Sequence, residues 1–155
     1  MIEIKAPNNY KEKDESKTLL FLAGSIEMGA AEDWQKTIIN GLSNIEDLII
    51  LNPRRDDWDS SWEQSIHNEK FFEQVTWELR MQECCDLIFM YFAPSTKSPI
   101  SLLELGLFAR SERMIVCCPS GFWRKGSVDI VCARYGVKQT NNITESINML
   151  RDICR

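Results

Sequence analysis

Short unbroken apolar runs alternate along this chain with segments of helical spacing. Thr18-Leu-Leu-Phe-Leu-Ala23, Leu48-Ile-Ile-Leu51, Leu87-Ile-Phe-Met-Tyr-Phe92 and Met114-Ile-Val-Cys-Cys118 are four to six residues long and show no polar alternation. Runs of this kind read as strands buried on both faces. Between and after them the apolar positions recur at three- and four-residue steps. This spacing predicts helices over 30–42 (Trp34, Ile38, Ile39 and Leu42 on one side), over 69–84 (Phe72, Val75 and Leu79 inward), over 99–110, over 127–135 and over 143–154. Strand–helix alternation with unalternating strands predicts a single α/β domain with a parallel sheet covered by helices on both faces. Such a sheet places its ligand at the carboxyl ends of the strands. The loops to examine are therefore 24–29, 52–62, 93–98 and 119–127. Residues 1–17 read as an N-terminal arm with a short strand near Ile2–Ala6, and 18–155 as the domain proper.

Bulk properties narrow the function. The chain has 155 residues and a net charge of −5, with no block or stripe of Lys and Arg. A nucleic-acid polymer is not an expected partner, because binding its phosphates requires concentrated positive charge; a small ligand with one phosphate remains open. No apolar run reaches the roughly 18 residues of a membrane span, and the polar first residues lack a signal-peptide core, so a cytoplasmic protein is expected. The six cysteines include no C-x-x-C, and the single histidine is His67. The cysteines are expected as core residues, with neither a structural metal nor a cofactor.

Glu104 is the first residue with chemical potential. With Pro99 opening its helix and Ser98 as N-cap, Glu104 shares a face with Ile100, Leu107 and Phe108. A carboxylate in an apolar stripe is costly without compensation. Ser101-x-x-Glu104 also has the form of a capping box, so a cap and a functional carboxylate are both open readings. Gly106, inside the same helix, hints at the close approach of a backbone or ligand. Gly24-Ser25-Ile26, followed by Gly29, ends the first apolar strand and offers N–H groups and a hydroxyl to a phosphate or sugar, or is simply a tight turn. Asn52-Pro-Arg54-Arg55-Asp-Asp-Trp58 is a salt-bridged loop or a polar pocket with a stacking wall. Phe122-Trp123-Arg124-Lys125 is a similar basic–aromatic loop. Glu78, with Gln74, Val75, Met81 and Gln82 at helical spacing, is an exposed helix glutamate or a second acid.

Together these residues resemble the nucleoside 2-deoxyribosyltransferase superfamily, which includes 2′-deoxynucleoside 5′-monophosphate N-hydrolases. The motifs are Phe21-Leu-Ala-Gly-Ser-Ile26, Ser98-Pro-Ile-Ser-Leu-Leu-Glu-Leu-Gly106 and Pro119-Ser-Gly followed by Gly126-Ser127, spread over roughly 19–136. The resemblance implies a flavodoxin-like sheet and a retaining mechanism in which Glu104 is the nucleophile. Glu78 falls where the family carries an aspartate that helps protonate the leaving base. Ser98 and Ser127, together with Gly-Ser25-Ile, match the nucleotide hydrolases rather than the transferases, which carry Asp and Asn at the first two positions. Ser127 would complete a neighbouring subunit's site, which implies a homodimer or larger homo-oligomer. Two departures stand out. Glu27 replaces an arginine usual in the hydrolases, a role open to Arg54, Arg55 or Arg124. Phe21 replaces a tyrosine whose hydroxyl would touch the nucleophile. The expected activity is cleavage of the N-glycosidic bond of a (deoxy)nucleoside 5′-monophosphate through a glycosyl-Glu104 intermediate. The alternatives are base exchange by a 2-deoxyribosyltransferase and nucleotide binding without turnover.

Overall fold

The computed structural model of the protein describes residues 1–10, 14–26 and 32–154. In chain order its elements are β1 (Ile2–Lys5), β2 (Thr18–Gly24), α1 (Trp34–Gly41), β3 (Leu48–Asn52), α2 (Glu69–Cys84), β4 (Leu87–Tyr91), α3 (Pro99–Phe108), β5 (Met114–Cys117), α4 (Lys125–Tyr135), β6 (Lys138–Thr140) and α5 (Ile143–Ile153). The described strands form one parallel sheet in the order β1-β3-β2-β4-β5-β6. This is the α/β architecture with helices on both faces that the alternation predicts. The chain order reverses between β2 and β4, and at such a switch point the loops leaving two adjacent strands diverge and open a crevice.

Every residue of β3, β4 and β5 is buried, which is why these strands show no polar alternation. One sheet face packs Leu20, Leu22, Ile50 and Phe89 against Trp34 and Ile38 of α1, Leu42 just past its end, and Leu150 of α5. The other packs Phe21, Met90 and Val116 against Trp77 and Met81 of α2, Leu105 of α3 and Val128 and Cys132 of α4. Asp33, Asn68 and Asn142 cap α1, α2 and α5 by accepting the backbone N–H of Lys36, Phe71 and Glu145.

Several local expectations are corrected. Helix α1 begins at Trp34 rather than at residue 30; part of the expected first turn, like Glu27 and Gly29, lies outside the described residues. Helix α4 begins two residues earlier than expected, at Lys125. Strand β6 was not legible: its three residues, Lys138-Gln-Thr140, are mostly polar because this edge strand pairs on one side only. The inward face of α2 is not Phe72, Val75 and Leu79. Phe72 and Val75 are exposed, and the buried positions are Gln74, Trp77, Met81 and Gln82. On α3, Ile100 and Leu107 are likewise outward, 59% and 56% exposed, while Ser101, Glu104 and Leu105 are buried. Glu104 therefore does not lie in the stripe expected for it. Gly106 faces open space, with nothing within 4 Å of where a Cβ would stand, so close packing within this chain does not explain it.

Candidate active site

Strand β2 ends on a backbone only glycine accommodates. Gly24 has φ +134°, and a Cβ there would stand 2.2 Å from the Tyr91 carbonyl oxygen. The close approach lets the Ser25 N–H reach the same carbonyl at 2.9 Å and carries the Ser25 side chain across to the β4–α3 loop. There its hydroxyl lies 2.5 Å from Ser98 Oγ and 2.9 Å from Thr96 Oγ1; the latter two are 2.7 Å apart, and the Ala93 N–H donates to Ser25 Oγ at 2.9 Å. Three buried hydroxyls thus meet at the switch point. Ser98 sits at the N-cap of α3 in the left-handed region (φ 46°), yet its side chain does not cap the helix; it is turned into the hydroxyl cluster instead. Thr96 had no motif to announce it.

Glu104 lies one and a half turns into α3 and is 8% exposed. Its Oε1 accepts a 2.8 Å hydrogen bond from Gln82 Nε2 on α2, so the capping-box reading does not hold. Burial pushes its carboxyl up to about 7, and the Gln82 bond pulls the other way. Glu78, one turn before Gln82, is only partly exposed. It accepts a 2.7 Å bond from Gln74 Nε2, and Gln74 also donates to the Pro53 carbonyl. Burial, then the charge of Glu104, pushes Glu78 up to about 8 against the pull of the Gln74 bond. Burial raises both carboxyls, the charge of Glu104 adds to the rise at Glu78, and no ion pair with Lys or Arg is found for either among the described residues. The glutamines that hold them, Gln74 and Gln82, follow the i, i+4 step through Glu78 along α2. That polar ladder was readable in the sequence, where apolar spacing drew the helix's inward face elsewhere.

The remaining sequence candidates divide. Asn52 is committed to the fold: its Nδ2 donates to Glu3 and its Oδ1 accepts the Arg54 N–H. Arg55 is committed as well. Its buried guanidinium binds both oxygens of Asp57 (2.8 and 2.9 Å), reaches Glu73 at 3.0 Å, and lies 5.1 Å over the Trp62 ring. Trp62 in turn packs edge-on against Trp58. Arg54 donates to Gln35 at 3.4 Å. Trp123 is half exposed and donates its indole N–H to the Lys97 carbonyl; Lys97 Nζ and the Arg124 guanidinium lie 4.5 and 4.3 Å from its ring centroid. Lys97, which precedes Ser98 in sequence, and Arg124 thus share the Trp123 ring. Ser127 is exposed on the first turn of α4, and Ile26 is half-buried directly after Ser25. Phe21 packs its ring against Trp77, with centroids 6.1 Å apart. A separate concavity of about 530 Å³, lined by Gly41, Asn44, Glu46, Asp47 and Arg151 among others, lies at the amino-terminal edge of the sheet, opposite this site.

The family model described as nucleoside 2-deoxyribosyltransferase like matches residues 17–122. The chain belongs to this family. Membership indicates an enzyme with a glycosyl-transfer or related hydrolytic role on nucleoside or nucleotide small molecules. The matched span includes β2 through the loop before α4, and so holds Ser25, Glu78, Ser98 and Glu104. A structural relative is a conserved protein from Enterococcus faecalis V583. It is 8% identical, with a TM-score of 0.64 over 88% of this chain and 99% of that one, and it shares the fold alone. No curated protein matches the chain. Among the described residues no helix is long and apolar enough to cross a membrane.

Proposed function

We propose that this protein cleaves the N-glycosidic bond of a (deoxy)nucleoside 5′-monophosphate through a covalent glycosyl-Glu104 intermediate. The observation that carries the reading is Glu104 itself: a buried carboxylate, held by a side-chain amide rather than a cation, with a second raised carboxyl beside it. Glu104 in its anionic form attacks C1′, and the bond to the base breaks with its electron pair leaving on the base nitrogen. Glu78, pushed up to about 8, holds its proton at neutral pH and delivers it to the departing base. Water then attacks C1′ of the adduct, Glu78 takes the water proton, and Glu104 is released as a carboxylate. One water is consumed; free base and sugar phosphate are formed.

The Ser25–Thr96–Ser98 hydroxyls supply neutral donors for the 5′-phosphate. An aspartate at position 98 would repel that group. The outward apolar residues of α2 and α3, Phe72, Val75, Ile100, Leu103 and Leu107, support a homo-oligomer. The deciding experiment incubates the protein with deoxynucleotides and deoxynucleosides, with and without a second base. Free sugar phosphate supports hydrolysis, a new nucleoside supports base exchange, and no product from any of them overturns both.

A further inference from the structure

We propose that Gln82 is the positioning residue for Glu104, fixing its Oε1 through the Nε2–H bond and sustaining its anionic form. This inference rests on the nucleophile reading of Glu104. Three observations carry it. First, the contact is short and entirely interior: Gln82 is 0% exposed, Glu104 is nearly so, and the bond is 2.8 Å. Second, the orientation of the amide is set by its surroundings. Nε2 faces two acceptors, Glu104 Oε1 and, at 3.4 Å, the Glu78 carbonyl, and a flipped amide would turn its oxygen against both. Third, packing does not account for a glutamine here. Its own Oε1 has no hydrogen-bond partner among the described residues, which is costly at such depth, and an apolar side chain would avoid that cost. What the glutamine adds is its N–H on Glu104.

The base of the side chain is anchored independently. The Gln82 carbonyl accepts from Arg113 Nη1 at 3.2 Å and from the Cys85 thiol at 3.4 Å, and the same Arg113 nitrogen is bonded to the Cys85 carbonyl. The amide is thus delivered from a helix end clamped on the β5 side, rather than from a loop. Other groups act on Glu104 differently. From α2 itself the Glu78 carboxyl is engaged by Gln74, and Arg113 spends its guanidinium on backbone carbonyls. From β2, Phe21 has no hydroxyl to offer. Gln82 is the side chain shown to donate to the Glu104 carboxyl among the described residues.

The test reads the Glu104 carboxyl directly by carbon-13 NMR titration. Its resonance is assigned by its disappearance in Glu104→Gln, and Glu78→Gln serves as the common background so that one group titrates. Gln82→Met should raise the Glu104 midpoint by about one pH unit, the scale of a lost hydrogen bond to a carboxylate. Gln74→Met, the same exchange at another buried glutamine of the helix, should leave it in place. An unmoved midpoint in Gln82→Met, or an equal shift in Gln74→Met, overturns the proposal. Should Gln82→Met fail to fold, Gln82→Glu sets a second acid against Glu104 and should split the titration into two separated steps; a single unshifted step overturns the proposal. With Glu78 intact, Gln82→Met should lower kcat about fivefold at pH 7 with KM unchanged, because fewer molecules carry the anion; a rise in KM with kcat unchanged overturns the positioning role. The titration needs no substrate. A shifted midpoint in a protein that turns over nothing would sink the glycosidase reading while leaving the Gln82–Glu104 coupling in place.

Discussion

Two regions of this molecule bury charge, and they do so in opposite ways. In the β3–α2 loop the Arg55 guanidinium is sunk beneath Trp62 but meets Asp57 and Glu73, whose outer sides remain in water. Between α2 and α3, the buried Glu104 and the partly buried Glu78 are each held by a glutamine amide, with no cation found for either among the described residues. The first arrangement neutralises its charge and pulls Asp57 down to about 2. The second pushes both carboxyls up, to about 8 and 7. A buried charge with a counter-charge fixes a loop. A buried carboxyl without one costs stability when ionised and, by the same physics, is reactive. The sequence shows charged residues in both places and does not distinguish them.

The sharpest way to break this contrast is Glu104→Gln. Turnover should fall by at least roughly 10³-fold with the fold intact, as for loss of a nucleophile. Normal activity in the folded variant would remove the chemical half of the comparison. Next comes Ser98→Asp, which should weaken a 5′-monophosphate by roughly 10-fold or more in kcat/KM, from repulsion of the phosphate, while sparing the corresponding nucleoside; equal losses on both would deny the hydroxyl cluster its phosphate role.

The pH dependence tests the two regions with opposite signs. Glu78 and Glu104 hold protons in the folded protein that the unfolded chain releases above its ordinary carboxyl range, near 4.5. Their contribution to stability is therefore present at low pH and is lost as pH rises through 7 to 8. Asp57 contributes in the opposite window: its stabilisation is present above about 3.8 and is lost as pH falls toward 2. Thermal melts should show Tm declining from pH 5 to pH 8 in the wild type and less so in Glu104→Gln. The kcat/KM profile should be bell-shaped with its maximum between 7 and 8, since Glu104 acts as anion and Glu78 as acid. A flat profile would detach these shifts from catalysis. The smallest effect is expected from Arg55→Met, about 1–2 kcal/mol of stability, because the stranded partners are half-exposed and rehydrate. Its per-molecule activity should remain within about twofold; a large loss of kcat in the folded variant would place Arg55 in the site after all.

Much of the fold was legible because it depends on local pattern. The four apolar runs became β2, β3, β4 and β5, since a strand buried on both faces has no polar position to hide. Gly24-Ser25 announced the turn at the switch point, because only glycine tolerates that backbone beside Tyr91. Glu104 stood out from its own neighbours and from the family motif. The helix faces were misread for a definite reason. Apolar spacing marks the buried face only where the apolar side of a helix is the side that docks on the sheet, and here α2 and α3 turn Phe72, Val75, Ile100 and Leu107 outward while Gln74, Gln82 and Glu104 go in.

Taken alone, the order of residues determined which segments become strands and helices, that the strands run parallel, and that a lone carboxylate follows a proline-led helix start. These outcomes follow from backbone sterics and periodicity within a few residues. Only the tertiary structure decided that Ser25 meets Thr96 and Ser98, that Gln82 rather than a hydroxyl at position 21 holds Glu104, and that Arg55 is spent on its own loop. Those facts depend on pairs separated by as many as 73 residues, and on which groups lose their water when helices dock on the sheet. Ionisation and hydrogen-bond strength are set by that desolvation, which no stretch of neighbouring residues encodes.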